Sequence, residues 1–207
     1  MDKITKKYGP HNIDIYSLIF GSLLGDSYAE KRNGSTRMIL QQEESNVSYL
    51  MWFHNYLAVR GYCSLKKPKL ETRIGKNNKV RFFYRIRTYS FASFNWIYDA
   101  FYADKIKKVP KELDKYLTPL ALAVWIMDDG TPCTFGLKIY TKTFKEEDVL
   151  FLCDVLNKKY NLLARFYRDK HQFVIYIPKT SMARLSSLVS IYMPPSMHRK
   201  LKSYSFV

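Results

Sequence analysis

Residues 118–131, TPLALAVWIMDDGT, decide how the rest of the chain is read. Thr118 followed by Pro119 is a cap and first-turn signal for a helix. The run from Leu120 to Met127 is then apolar on every side until Asp128, Asp129 and Gly130 close it. A helix apolar nearly all round has to bury itself against another apolar surface. About half the chain earlier, residues 19–27, IFGSLLGDS, repeat the pattern. Here the spacing predicts a helix capped by Asp14 and running through Ile15, Leu18, Ile19, Phe20, Leu23 and Leu24 to Gly25, with Asp26 at its end. Gly21, Ser22 and Gly25 in one helix and Ala121 and Ala123 in the other are small enough for the two backbones to approach closely. Packed together, the helices would bring their acidic ends together.

Both acids are expected in a last helical turn, where the helix dipole disfavours a carboxylate by a few tenths to about 1 kcal/mol. A bound divalent cation would offset that cost, and magnesium favours one or two carboxylates completed by water and phosphate oxygens. A single Asp-Gly after a helix is usually only a terminating turn. Two such acids, each after an unusually apolar helix and half a chain apart, read instead as two equivalent acidic sites.

The segments between the motifs repeat as well. After Asp26 the pattern predicts a strand over about 37–42, a helix over 47–61, a strand near 62–67, a turn at 75–78, a strand over 80–88 and a helix over 91–102. After Asp129 it predicts a strand over 136–143, a helix over 146–160, a hairpin of about 162–168 with 172–177, and a helix over 181–191 capped by Thr180. Residues 104–115, with Pro110 and several lysines, read as a linker. The fold class is therefore α/β (α+β), in two pseudo-symmetric halves, 1–104 and 118–207, joined by 105–117.

Thirty-four Lys and Arg stand against 18 Asp and Glu, a net charge of +16, which points to a polyanionic partner, nucleic acid first. Hydrophobic content of 47% provides for a real core, so this is not a disordered basic tail. The longest apolar runs are shorter than the ~20 residues of a membrane span. The N-terminus MDKITKKYG is basic but lacks the apolar core of a secretory signal. Cys63, Cys133 and Cys153 are odd in number and isolated, and His11, His54, His171 and His198 show no zinc spacing with them, so buried free thiols are expected.

The strands suggest where nucleic acid would lie. In VRFFYRIRT, Val80, Phe82, Tyr84 and Ile86 share one face, and Arg81, Phe83, Arg85 and Arg87 share the other, so one face is expected to be core and one basic. Lys138, Tyr140 and Lys142 likewise oppose Leu137, Ile139 and Thr141, and Arg165 and Tyr167 oppose Ala164 and Phe166. Arg37 and Gln41 share a face of their strand. Lys66, Lys67, Lys69 and Arg73, near the first hairpin tip, would extend phosphate contacts outward. Basic faces recurring in both halves suggest a continuous saddle on which Arg and Gln read bases and Lys contacts phosphates.

LAVWIMDDG, residues 122–130, resembles the LAGLIDADG motif of homing endonucleases, with Leu122-Ala123 opening it and Asp129-Gly130 closing it. IFGSLLGDS is a looser copy that keeps Gly21 and Asp26 but has Ser27 at the final glycine. The likeness covers roughly Asp14 to Leu201 and is to the single-chain, two-motif branch. It implies αββαββα-like halves with the two motif helices packed at the centre, and a monomer with internal pseudo-twofold symmetry. It also implies site-specific cleavage of both strands at a long double-stranded DNA site with divalent metal, Mg2+, and an organellar home, mitochondrion or chloroplast. Asp26 and Asp129 would be the metal ligands. Gln41, Lys107 and Lys200 align with the family's helpers, Lys108 and Arg199 being adjacent alternatives in register. Asp128, where the first copy has Gly25, would play a supporting role. Intron RNA maturation on the same scaffold would share every one of these features, whereas DNA binding without catalysis is disfavoured because both aspartates are kept.

Overall fold

The computed structural model describes residues 11–75, 78–141 and 144–202. The first half runs α1 (Ile13–Leu24), β1 (Tyr28–Arg32), β2 (Ser35–Glu43), α2 (Val47–Ala58), β3 (Leu70–Ile74), β4 (Val80–Arg87) and α3 (Asn95–Phe101). A small hairpin, β5 (Tyr102–Ala103) and β6 (Ile106–Lys107), and a single-turn α4 (Leu113–Tyr116) follow, so the segment read as a linker carries structure of its own. The second half runs α5 (Pro119–Asp129), β7 (Gly130–Cys133), β8 (Gly136–Tyr140), α6 (Glu146–Tyr160), β9 (Arg165–Asp169), β10 (Gln172–Pro178) and α7 (Lys179–Val189). The order αββαββα thus occurs twice. Each copy builds an antiparallel sheet of the same topology, β1-β2-β4-β3 and β7-β8-β10-β9. The end of the strand expected over 136–143, at residues 142–143 with Lys142 among them, residues 76–77 of the expected turn, and the N-terminal residues before His11 lie outside the described residues.

The chain packs as two units, one of His11 with residues 26–98, the other of residues 12–25 with residues 99–202, so α1 belongs with the C-terminal half. In that second unit α1 and α5 lie side by side and parallel. Thr118 Oγ1 donates to Ser17 Oγ at 2.7 Å where α5 begins, Gly21 rests against the Ala121 carbonyl, and Gly25 rests against the Asp128 side chain. Every residue of α5 from Leu120 to Met127 is buried. Phe20 stacks on Tyr116 with centroids 4.4 Å apart and meets Phe101 edge-on at 5.1 Å.

Thr118 caps α5 by accepting from Ala121 N, with Pro119 in the first turn, as expected. The other caps differ. Asn12, not Asp14, caps α1, its Oδ1 accepting from Asp14 N at 2.9 Å. Asp14 then sits inside the first turn, where its charge complements the dipole. In α7, Pro178 occupies the cap position and its ring has no polar group to make a side-chain bond, while its φ of −72° is fixed by the ring; Thr180 lies inside the helix.

Two edge strands, β1 and β7, have no counterpart in the sequence reading. Asn33 and Gly34, both at positive φ (49° and 72°), form the turn that pairs β1 with β2; the Asn-Gly dipeptide is its signature. In β7 the presence of Pro132 masks the strand, and it is tolerated because β7 is an edge. Residues 62–67 are not a strand. His54 holds that segment through its Nε2 at 2.8 Å from Ser64 O, and the third strand forms after Pro68, at Leu70–Ile74.

His11 is buried in the first unit, with Nδ1 2.7 Å from Tyr62 Oη and Nε2 2.7 Å from Ser93 Oγ, and its ring meets Phe94 at 4.6 Å. Burial lowers its pKa below 6.5. The fold therefore prefers the neutral ring, and its contribution is complete above 6.5 and declines as pH falls through the lowered folded value. Urea midpoints measured from pH 7 down to pH 4 should show an acid-side loss that His11→Gln reduces; an identical pH dependence in the two proteins would refute it.

Candidate functional site

Asp26 and Asp129 leave their helices differently. Asp129 is the last residue of α5 and is half-buried, whereas Asp26 lies past the Gly25 cap of α1 and is exposed. The expectation of both acids in a last turn therefore holds for Asp129 alone. Neither helix has a basic residue in its own last turn. Cations reach the helix ends from elsewhere: Lys107 Nζ donates to Gly25 O at 3.1 Å, and Lys200 Nζ donates to Gly130 O at 2.7 Å. Ammonium groups on carbonyls at helix C-termini offset the dipole's partial negative charge. The neighbours in register point elsewhere: Lys108 lines a cavity of about 470 Å³ with Val109 and Glu147, and Arg199 Nη2 lies 3.9 Å from Met197 Sδ.

In the first unit Gln42, not Gln41, meets Asp26. Gln42 is buried, its Nε2 donates to Asp26 Oδ2 at 2.9 Å, and its Oε1 accepts from Asn46 Nδ2 at 3.2 Å. Gln41, on the opposite face of β2, accepts from Arg85 Nε and Nη2 at 3.2 and 2.9 Å. Strand parity separates the two glutamines. A residue aligned one position away therefore faces a different partner. Asp128 is half-buried and packs against Gly25.

The first sheet has two unlike faces. One carries Met38, Leu40 and Ile86, buried beneath α2. The other carries Arg37, Gln41, Arg73, Arg81, Arg85 and Arg87, which the strand register brings together. The division is less clean than alternation predicts. Val80 and Phe82 are 50% and 46% exposed. Phe83, among the arginines, is only 3% exposed. The Arg85 and Arg73 guanidinium carbons lie 4.9 and 5.6 Å from its ring centroid and cover it.

Three acids on this face escaped the sequence reading. Glu30 pairs with Arg37 at 2.6 Å, Glu43 with Arg81 at 2.7 Å, and Glu71 with Arg85 and Arg87 at 3.4 and 3.8 Å. Only the cross-strand register reveals these partners. Such exposed pairs contribute about 0–1 kcal/mol each, so they orient the guanidinium groups and can exchange for other acceptors.

Lys66, Lys67 and Lys69 sit in the loop between α2 and β3, not at the tip of the β3–β4 hairpin, which Gly75 N closes on Lys79 O. On the second sheet, Lys138 lies opposite Thr131 and Tyr176, and Tyr176 lies opposite Arg165. Lys138 Nζ is 5.5 Å from the Tyr167 ring centroid. Tyr140 shares this face, which is richer in tyrosine and poorer in cations than the first.

The cysteines form no disulfide. Burial pushes the Cys63 thiol up to about 11 and the Cys153 thiol up to about 12, so both are poor nucleophiles. Cys133 is only half-buried, because it ends the edge strand β7. No helix among the described residues is long and apolar enough to cross a membrane.

Known proteins resemble this chain. The chain is 45% identical over 97% of its length to cytochrome b mRNA maturase bI2 of Saccharomyces cerevisiae, spanning half the length of that relative. It is 38% identical over 94% of its length to the protein of the same name from Debaryomyces hansenii, spanning 76% of it. It is 37% identical over 72% of its length to intron-encoded endonuclease ai4 of Dictyostelium discoideum, spanning 97% of that relative. Among solved structures, the homing endonuclease I-WcaI bound to its DNA recognition sequence superposes with a TM-score of 0.85 at 26% identity, over 95% of this chain and 89% of that one. The model of the LAGLIDADG DNA endonuclease family matches residues 16–185. With its two motif helices packed in parallel and its αββαββα order repeated, the chain belongs to the LAGLIDADG DNA endonuclease family.

Proposed function

We propose that this chain is a site-specific homing endonuclease that, with a divalent metal, hydrolyses one phosphodiester in each strand of a long duplex DNA site. One observation carries the reading. Parallel α1 and α5 end side by side with Gly25 against Asp128, and the next residue in each segment is an aspartate, Asp26 and Asp129.

The donor set fits magnesium. No group of three or more His, Cys, Asp or Glu that could hold a metal occurs among the described residues, so a site at Asp26 and Asp129 would be completed by water and phosphate oxygens, as magnesium prefers. When bound, the metal supplies Lewis-acid stabilisation of phosphate oxygens and a more acidic water. The chain's own residues do the rest. Gln42 fixes the orientation of the Asp26 carboxylate, and Lys107 and Lys200 place positive charge beside the helix ends. The arginine face with Gln41, and Lys138, Tyr140, Arg165 and Tyr167 on the second sheet, position the duplex. Two motifs within one chain supply both acids, which supports a monomer of two halves, 1–104 and 118–207, joined by 105–117.

A second reading, intron RNA maturation, is favoured by the names of the two yeast relatives, both cytochrome b mRNA maturases. Those names also support an organellar location. Selection from a library of randomised duplex DNA in magnesium separates the two. Linear product from one recovered sequence is expected; no product, together with tight binding to structured intron RNA, would transfer the assignment to the second.

A further inference from the structure

On the first unit, the surface across the sheet from the arginine face has a different electrostatic character. Residues 47–70, comprising α2 and the loop after it, contain no Asp or Glu and four basic residues, Arg60, Lys66, Lys67 and Lys69. All four are exposed, and none forms an ion pair with a carboxylate among the described residues. Arg37, Arg81, Arg85 and Arg87 of the opposite face, by contrast, are paired with Glu30, Glu43 and Glu71.

Helix α2 adds flat surfaces to this charge. Its inner side, Tyr49, Leu50, Phe53 and Leu57, is buried. Its outer side carries Trp52 and Tyr56, four residues apart, and Arg60 follows just past its end. The Trp52 and Tyr56 rings are partly exposed, with centroids 6.0 Å apart. The Arg60 guanidinium lies 3.9 Å over the Tyr56 ring and donates from Nη1 to Tyr56 O at 3.0 Å. Three planar groups are thus held in sequence on a segment whose cations no carboxylate neutralises.

We propose that this surface binds a single-stranded polynucleotide, its unpaired bases stacking on Trp52 and Tyr56 and its phosphates meeting Arg60, Lys66, Lys67 and Lys69. Aromatic faces accept any base, whereas the bases of an intact duplex are already stacked and cannot reach them. Uncompensated cations add affinity by releasing counterions from phosphates. The site goes beyond the nuclease reading and does not depend on it.

Fluorescence anisotropy of the full chain with a short oligouridylate RNA, an oligothymidylate DNA and a duplex DNA tests the proposal. Trp52→Ala should weaken single-strand binding by about tenfold or more, with duplex cleavage unchanged. Lys66→Gln/Lys67→Gln/Lys69→Gln, which touches no buried residue, should lower the salt-dependence slope for the single strand by about 2. Equal loss for RNA and DNA supports recognition by stacking and phosphate alone; loss for RNA only supports an RNA site with ribose contacts. Failure of the native chain to bind either single strand would overturn the proposal. So would single-strand binding lost in Arg85→Ala but kept in both variants above. A Trp52→Ala protein that melts below the native chain leaves the lysine variant to decide.

Discussion

Asp129→Asn is expected to abolish double-strand cleavage, with a rate loss of about 10³-fold or more, while the protein folds and binds duplex DNA as before. A neutral amide cannot hold a divalent cation as a carboxylate does, and metal-assisted charge stabilisation is worth several kcal/mol, each 1.36 kcal/mol being a factor of ten. Asp129 is half-buried at the end of α5, and an amide of the same shape preserves the packing there. Binding should hold or strengthen slightly, because removing a negative charge near phosphates does not weaken their attraction to the Arg and Lys faces. Asp26→Asn should behave the same way, although its amide would also have to accommodate the Gln42 donor that now meets Oδ2. Lys107→Met and Lys200→Met, which remove the cations at the helix ends, should give smaller losses in the same assay. Full cleavage by either aspartate variant, or loss of folding in both, would remove the basis for the catalytic assignment.

Gly21→Ala is expected to destabilise the protein strongly. A Cβ at this position would stand 2.3 Å from the Ala121 carbonyl oxygen and 2.9 Å from Val124 Cβ. The first of these is backbone and cannot swing aside, so α1 and α5 would have to separate along their shared length. Overpacking of this kind costs about 1–3 kcal/mol and sometimes more, against roughly 1 kcal/mol gained from alanine's helix propensity. At a net loss of about 1–2 kcal/mol the melting temperature should fall by roughly 2–8 °C. Gly34→Ala is the comparison: nothing lies within 4 Å of a Cβ there, and only its φ of +72° resists the change, at about 1–2 kcal/mol. A Gly21→Ala protein that melts at the native temperature would show that the two helices do not pack as described.

The apolar helices, the half-chain repeat and the basic strands are visible in the sequence because each depends on neighbouring residues. Thr118-Pro119 starts α5 wherever the chain goes next, and Asn33-Gly34 was an equally local signal for the β1–β2 turn. Period-two alternation likewise separates Arg85 and Arg87 from Ile86 without any partner in view. Partner choice is not local. Whether Gln41 or Gln42 meets Asp26 depends on which face of β2 turns toward that carboxylate. Whether Arg37, Arg81 and Arg85 stand free or beside Glu30, Glu43 and Glu71 depends on the register between strands far apart in the chain. The lysines that offset the two helix ends, Lys107 and Lys200, arrive from segments remote from the helices they serve. Local propensity and hydrophobic periodicity therefore determined the elements and their duplication, and long-range packing alone decided which charges face one another, because electrostatic partners are set by distance in space rather than by spacing along the chain.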